Sequence, residues 1–190
     1  LGSILALAAL ALIGGAIYMA ETRAPLSAKL QFIKTFGPVA VQAMRSLNWP
    51  VAVAVIVVAW AAMESNYGTS ELAAKHSNLF GIKAGPTWQK EHPAAMVDYP
   101  TNEWDAQGKQ YQVHSYFRTY PSWTASLSDL LNMLKITTIY QPAYAALARG
   151  DANGFLNAIQ ASGYSTAASA KVNYAQRIAD FTQEVESLLV

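Results

Sequence analysis

The sequence predicts an α+β domain that is mainly helical. Two observations carry this: helical patterns fill both ends of the chain, and a short alternating stretch bounded by turn residues lies between them. A third concerns size. At 190 residues, with 53% hydrophobic and 13% charged, the chain suffices for one compact domain with a real core plus an appendage.

The charge balance narrows the function. Thirteen Lys and Arg against twelve Asp and Glu give a net charge of +1, which argues against nucleic-acid binding through a basic surface. The absence of cysteine removes disulfides, thiolate nucleophiles and Cys-ligated metal sites. His76, His92 and His114 are too scattered for a common zinc spacing, and no residue calls for a metal or a cofactor. Carboxylate chemistry, aromatic binding surfaces or a structural role remain.

Residues 1–20 hold no charged side chain, and twenty helical residues span about 30 Å, roughly the apolar thickness of a bilayer. The segment reads as a hydrophobic helix that spans or enters a membrane, or one buried in a large assembly. Against a signal peptide stand the missing basic start, the missing initiator Met and the bulky Tyr18. A chain processed or cut from something longer fits that start. Residues 21–27, with Pro25, read as a linker, and residues 28–190 as the folded domain.

Ser27 caps an expected helix over 28–47, interrupted near Gly37-Pro38. Pro50 opens the next helix, and residues 51–63 are thirteen uninterrupted apolar residues, too few to span a bilayer and too apolar for a surface. That helix is core, and it runs directly onto Glu64. A short helix is expected from Ser70 to His76, then a loop over 77–93. Strands are expected over 94–99 and 110–120, with a turn at 105–108. Helices over 122–134, 142–149, 153–161 and 169–189 complete the chain, the last with Val172, Ala175, Ile178, Val185 and Leu188 on its apolar face.

Glu64 is the leading candidate for chemistry. A carboxyl at the end of a buried helix is partly desolvated, which raises its pKa and favours the protonated form that a general acid needs. A helix-terminal Glu bonded to nearby backbone is the plainer alternative.

The motifs around it add to this reading. Glu64-Ser65-Asn66-Tyr67-Gly68-Thr69-Ser70 leads to Asn78-Leu79-Phe80-Gly81-Ile82-Lys83. Then come Thr101-Asn102-Glu103, Phe117-Arg118-Thr119-Tyr120 and Ser162-Gly163-Tyr164-Ser165-Thr166. From Phe32 to the C-terminus this order resembles the glucosaminidase-type peptidoglycan hydrolases of glycoside hydrolase family 73. Their pattern is E-S-G-W-G-x-S, N-L-F-G-I-K, T-x-E, F-R-x-Y and G-Y-A-T-D-P. Asn66-Tyr67 replaces the family's Gly-Trp, and its Asp-Pro is absent after Thr166.

The resemblance implies a lysozyme-like fold, with a groove between a helical lobe and a small β-hairpin lobe. It implies cleavage of the β-1,4 bond between N-acetylglucosamine and N-acetylmuramic acid, Glu64 protonating the glycosidic oxygen. Glu103 matches the second carboxylate, a base for the attacking water, with Asp98 and Asp105 as nearby substitutes. The other route is attack by the sugar's own acetamido oxygen, beside which Tyr164 would stand. Tyr67, Trp88, Trp104 and Tyr120 are candidate sugar-contacting aromatics. Asn78, also placed near the glycan, fits better as a brace for the Phe80-Gly81 turn. Phe80 and Phe117 read as core, and Arg118 as paired with a carboxylate inside the fold. The implied partners are glycan strands of peptidoglycan and, through residues 1–20, a membrane or a virion, flagellar or secretion assembly. The implied location is the cell envelope, facing the wall, or a phage virion. A lytic transglycosylase and a non-catalytic glycan-binding module are the competing functions.

Overall fold

The computed structural model describes residues 24–104, 110–164 and 173–189. The expected hydrophobic helix over 1–20 and the expected turn at 105–108 lie outside the described residues, as do Ser165, Thr166 and Val172.

The first helix, α1 (Leu26–Ser46), buries Phe32, Ile33, Phe36, Ala40 and Met44 along one stripe. It begins earlier than Ser27 suggested. Pro25 is its N-cap, and the Pro25 carbonyl accepts from the Ala28 and Lys29 N–H groups. Nor is it interrupted at Pro38. The ring removes one N–H, but the carbonyl left over, on exposed Lys34, faces water.

After a 3-10 turn, Val51–Val53, comes α2 (Ala54–Ser65), which buries nine of its twelve residues. Its run of Ala59, Ala61 and Ala62 around Trp60 keeps the helix thin enough for α1 to pack on it closely. Asn66 ends it in the left-handed conformation, φ 49°. Ser70 then caps α3 (Glu71–His76) by accepting from the Ala73 N–H.

The expected loop over 77–93 contains a helix, α4 (Pro86–Glu91). Gly85 is its N-cap and Pro86 stands at its first position, so the residues that suggested a loop start a helical turn. The hairpin follows: β1 (Met96–Trp104) and β2 (Gln110–Arg118) pair antiparallel from Met96↔Arg118 to Trp104↔Gln110. β1 starts later and runs further than expected, with Pro100 inside it; among the described residues the sheet has two strands, so β1 is an edge strand, where proline is tolerated.

Among the described residues four helices follow: α5 (Trp123–Ile136), α6 (Gln141–Arg149), α7 (Ala152–Ala161) and α8 (Tyr174–Leu188). α8 packs along α2, so the central helix lies between α1 and α8. The buried stripe of α8 is Tyr174, Ile178 and Val185, with Phe181 and Leu188 beside it. Ala175 is only half-buried, because the large Tyr174 ring takes the core position next to it.

The N-L-F-G-I-K segment joins the two lobes. Leu79, Phe80 and Ile82 are fully buried, and the Ile82 carbonyl accepts from the Arg118 N–H at 3.0 Å. The Ala84 N–H donates to the Tyr116 carbonyl at 2.8 Å, so this segment lies along the base of β2. Among the described residues no helix is long and apolar enough to cross a membrane.

Candidate active site

Glu64 occupies the last turn of α2, where the buried helix meets the left-handed run Asn66, Tyr67 and Gly68 (φ 49°, 56° and 76°). Ser65 fastens this turn. Its hydroxyl donates to the Ala61 carbonyl at 2.6 Å and accepts from the Gly68 N–H at 2.8 Å. Gly68 has no room for a side chain: an added Cβ would stand 2.9 Å from the Trp123 ring and 3.0 Å from Phe32. The turn therefore fixes the direction in which the chain leaves Glu64.

The Glu64 carboxyl keeps some exposed surface but is surrounded by protein. Burial pushes its pKa up from 4.5 to about 6, against the opposing pull of the Tyr174 hydroxyl, the Arg177 charge and the Trp60 indole. The Tyr174 hydroxyl donates to Glu64 Oε1 and accepts from Trp60 Nε1 at 2.7 Å. Trp60, Tyr174 and Glu64 thus form one chain of hydrogen bonds, two members from α2 and one from the start of α8. Tyr174, Trp60 and Arg177 were not among the sequence-based candidates. Their only trace in the sequence is position: Tyr174 stands four residues before Ile178, on the face that α8 turns to the core.

The other candidates fall into three groups. Two expected groove residues are core residues. Tyr164 is fully buried, its hydroxyl donating to the Phe80 carbonyl at 3.3 Å and its ring facing Trp60, Tyr140 and Tyr174. Burial, then the nearby Glu64 charge, holds its phenol well above the usual range. Tyr67 is 3% exposed, stacked on Phe181 with its edge to Phe32, because the left-handed backbone turns it inward under α1 and α8. Asn78 is also buried. Its amide donates to the Ile82 and Arg118 carbonyls, each at 2.9 Å, and its oxygen accepts from the Ile82 N–H at 3.0 Å. It braces the lobe junction and does not reach a glycan surface.

Trp88 and Tyr120 are half-buried where α4, β2 and α5 meet. Trp88 donates to the Ala95 carbonyl at 2.9 Å, and the Arg118 guanidinium stacks on its ring at 4.2 Å. Tyr120 donates to Asp129 Oδ2 at 2.6 Å, and Arg118 donates to the same oxygen at 2.7 Å. Arg118 is thus paired with a carboxylate inside the fold. Phe80 and Phe117 are fully buried. Glu103 and Trp104 stand on the backbone of β1, Glu103 opposite Tyr111 and Trp104 opposite Gln110. Asp98 lies on the exposed part of the hairpin against His114, at 3.1 Å. Among the described residues no group of three or more His, Cys, Asp or Glu is placed to hold a metal.

A helical lobe, a two-stranded hairpin and one desolvated carboxyl at the end of the central helix define a lysozyme-like glycoside hydrolase domain. The chain belongs to the glucosaminidase family, described as mannosyl-glycoprotein endo-beta-N-acetylglucosaminidase, which it matches over residues 37–187. It is 28% identical to the peptidoglycan hydrolase FlgJ of Escherichia coli K12 over 138 residues, 70% of this chain and 40% of that one. It is 32% identical to the exo-glucosaminidase LytG of Bacillus subtilis over 136 residues, 69% of this chain and 43% of that one. It spans about two-fifths of the length of these relatives. A peptidoglycan hydrolase mutant from Sphingomonas sp. A1 superposes with a TM-score of 0.67 at 25% identity, covering 84% of this chain and 97% of that one. The catalytic domain of the Listeria monocytogenes autolysin Auto gives 0.64 at 25% identity, covering 90% of each.

Proposed function

We propose that this chain is a peptidoglycan hydrolase that cuts the β-1,4 bond between N-acetylglucosamine and N-acetylmuramic acid, with Glu64 as its general acid. The observation that carries the reading is the Glu64 carboxyl, held by Tyr174 and pushed by burial to about 6. A carboxyl with that pKa is substantially protonated in mildly acidic surroundings and still gives up its proton readily to a departing glycosidic oxygen. The family and its peptidoglycan-hydrolysing relatives supply the substrate class.

In this reading Glu103, on the hairpin, is the base that activates water, and Trp88, Trp104 and Tyr120 contribute sugar contacts. An inverting reaction needs the two carboxylates about 6.5–9.5 Å apart when substrate is bound. Residues 1–20 would attach the domain to a membrane or to a particle or secretion assembly, so that the wall is opened locally.

The test is mass spectrometry of borohydride-reduced fragments released from purified peptidoglycan by wild type and by Glu64→Gln. Fragments ending in reduced N-acetylglucosamine are expected from wild type, with the rate at least about a hundredfold lower in the variant. Anhydro-muramic ends would make the protein a transglycosylase. No release by wild type would leave a glycan-binding module.

A further inference from the structure

The hydrogen-bond chain at Glu64 has a direction. An indole N–H only donates, so Trp60 Nε1 obliges the Tyr174 oxygen to accept, at 2.7 Å. The Tyr174 hydroxyl is then left with its own proton to place, and Glu64 Oε1 is its acceptor. If Oε1 carried the carboxyl proton and donated to Tyr174, the phenol proton would need another acceptor. Tyr174 is 1% exposed, and among the described residues its neighbouring rings, Trp60 and Tyr164, offer none: Trp60 has no acceptor atom, and the Tyr164 hydroxyl is engaged with the Phe80 carbonyl at 3.3 Å. A buried donor without an acceptor is a costly arrangement. The favoured protonated state of Glu64 therefore carries its proton on Oε2.

From this we propose that Tyr174, oriented by Trp60, is a positioning residue that fixes the Glu64 carboxyl and confines its acid proton to Oε2. This rests on Glu64 being the acid of the proposed reaction. The bond persists when Glu64 loses its proton, since Oε1 accepts in both states, so the carboxyl need not turn between donating a proton and regaining it. The other groups around this carboxyl are the Trp60 indole N–H, which also favours the carboxylate, Arg177 on α8, one turn beyond Tyr174, and the Tyr164 phenol, held neutral by burial. Arg177 attracts the charged carboxylate without specifying an oxygen atom; the Tyr174 hydroxyl, with the Trp60 N–H behind it, is bonded to Oε1 and so distinguishes the two.

The experiment compares wild type, Tyr174→Phe and Glu64→Gln. It uses soluble glycan fragments for kcat and KM across pH, and carbon-13 NMR of labelled glutamate for the Glu64 titration without substrate. Tyr174→Phe removes one oxygen and keeps the ring that packs on Tyr164; circular dichroism checks that it folds. The expected result is a fall in kcat of about tenfold or more at little-changed KM, with the Glu64 titration and the alkaline limb of the rate both moving to higher pH. The upward direction follows because the lost bond favoured the charged carboxylate. An unmoved Glu64 titration in a folded Tyr174→Phe protein would overturn the proposal, whatever the rate. If wild type releases nothing while the titration still moves, Tyr174 holds Glu64 as proposed and it is the hydrolase reading that fails.

Discussion

Glu64 ties activity and stability to the same protonation step. Its carboxyl is raised from 4.5 to about 6, so the folded protein binds more protons than the unfolded chain between those values. The stability that this one group contributes is therefore fully present below about 4.5 and is lost as pH rises through about 6, by about 2 kcal/mol in all. Glu64→Gln carries no such charge. It is expected to be more stable than wild type by about 1–2 kcal/mol at pH 7, and the difference should close below about 4.5. Urea unfolding at both pH values measures it. The rate has the same sign: as Glu64 gives up its proton above about 6, wild-type hydrolysis should decline. At this scale the sequence was informative about Glu64, because thirteen apolar residues leading onto a carboxyl signal desolvation by themselves. Tyr67 and Tyr164 are buried where their motif positions suggested a groove. Motif position places a tyrosine near a site but does not say which way its ring faces, and here backbone geometry and core packing turn both inward.

Among the elements, α2 was legible by length: its β-branched residues suit a strand as well, but thirteen uninterrupted apolar residues after Pro50 are long for one, and the run is a buried helix. Short elements were not. α4 has six residues, and its Pro and Gly are loop residues or helix-start residues according to what packs on them. In α1, Gly37-Pro38 suggested a break, but the stripe Phe36, Ala40, Met44 continues through it, and burial of that face outweighs the propensity cost of both residues. Gly37 is thus a weak point with no compensating role, since an added Cβ meets nothing within 4 Å. Gly37→Ala should stabilise the domain by about 0.5–1 kcal/mol without changing hydrolysis. Thermal unfolding together with the fragment assay would show it.

For the whole molecule, the decisive contacts join distant parts of the chain, and these the sequence does not display. Tyr174 and Glu64 are 110 residues apart, and no local pattern pairs them. The lobes meet through Asn78 and through Arg118, which bonds Asp129, stacks on Trp88 and reaches the Lys83 carbonyl at 3.3 Å. The sequence suggested a carboxylate partner for Arg118 in general terms; only the fold identifies Asp129, half-buried and nearly two turns into α5. The two side chains are 16% and 17% exposed, so their pairing is largely shielded from water. Asp129→Asn should therefore cost about 2 kcal/mol and loosen the hairpin on the helical lobe. Hydrogen exchange should quicken in residues 96–118 more than in α2. Equal protection in both proteins would show that the hairpin is seated by Asn78 and the Ile82–Arg118 pairing alone.

The buried Ala24 N–H donates to Asn66 Oδ1 at 3.2 Å, two residues beyond Glu64. A tether acts where it is fastened. Residue 24 is fastened twice, along the chain to α1, whose N-cap is Pro25, and across to the turn that follows Glu64. A load arriving at residue 24 would thus be divided between the start of α1 and the turn behind Glu64, and would bear on the candidate acid as well as on the fold.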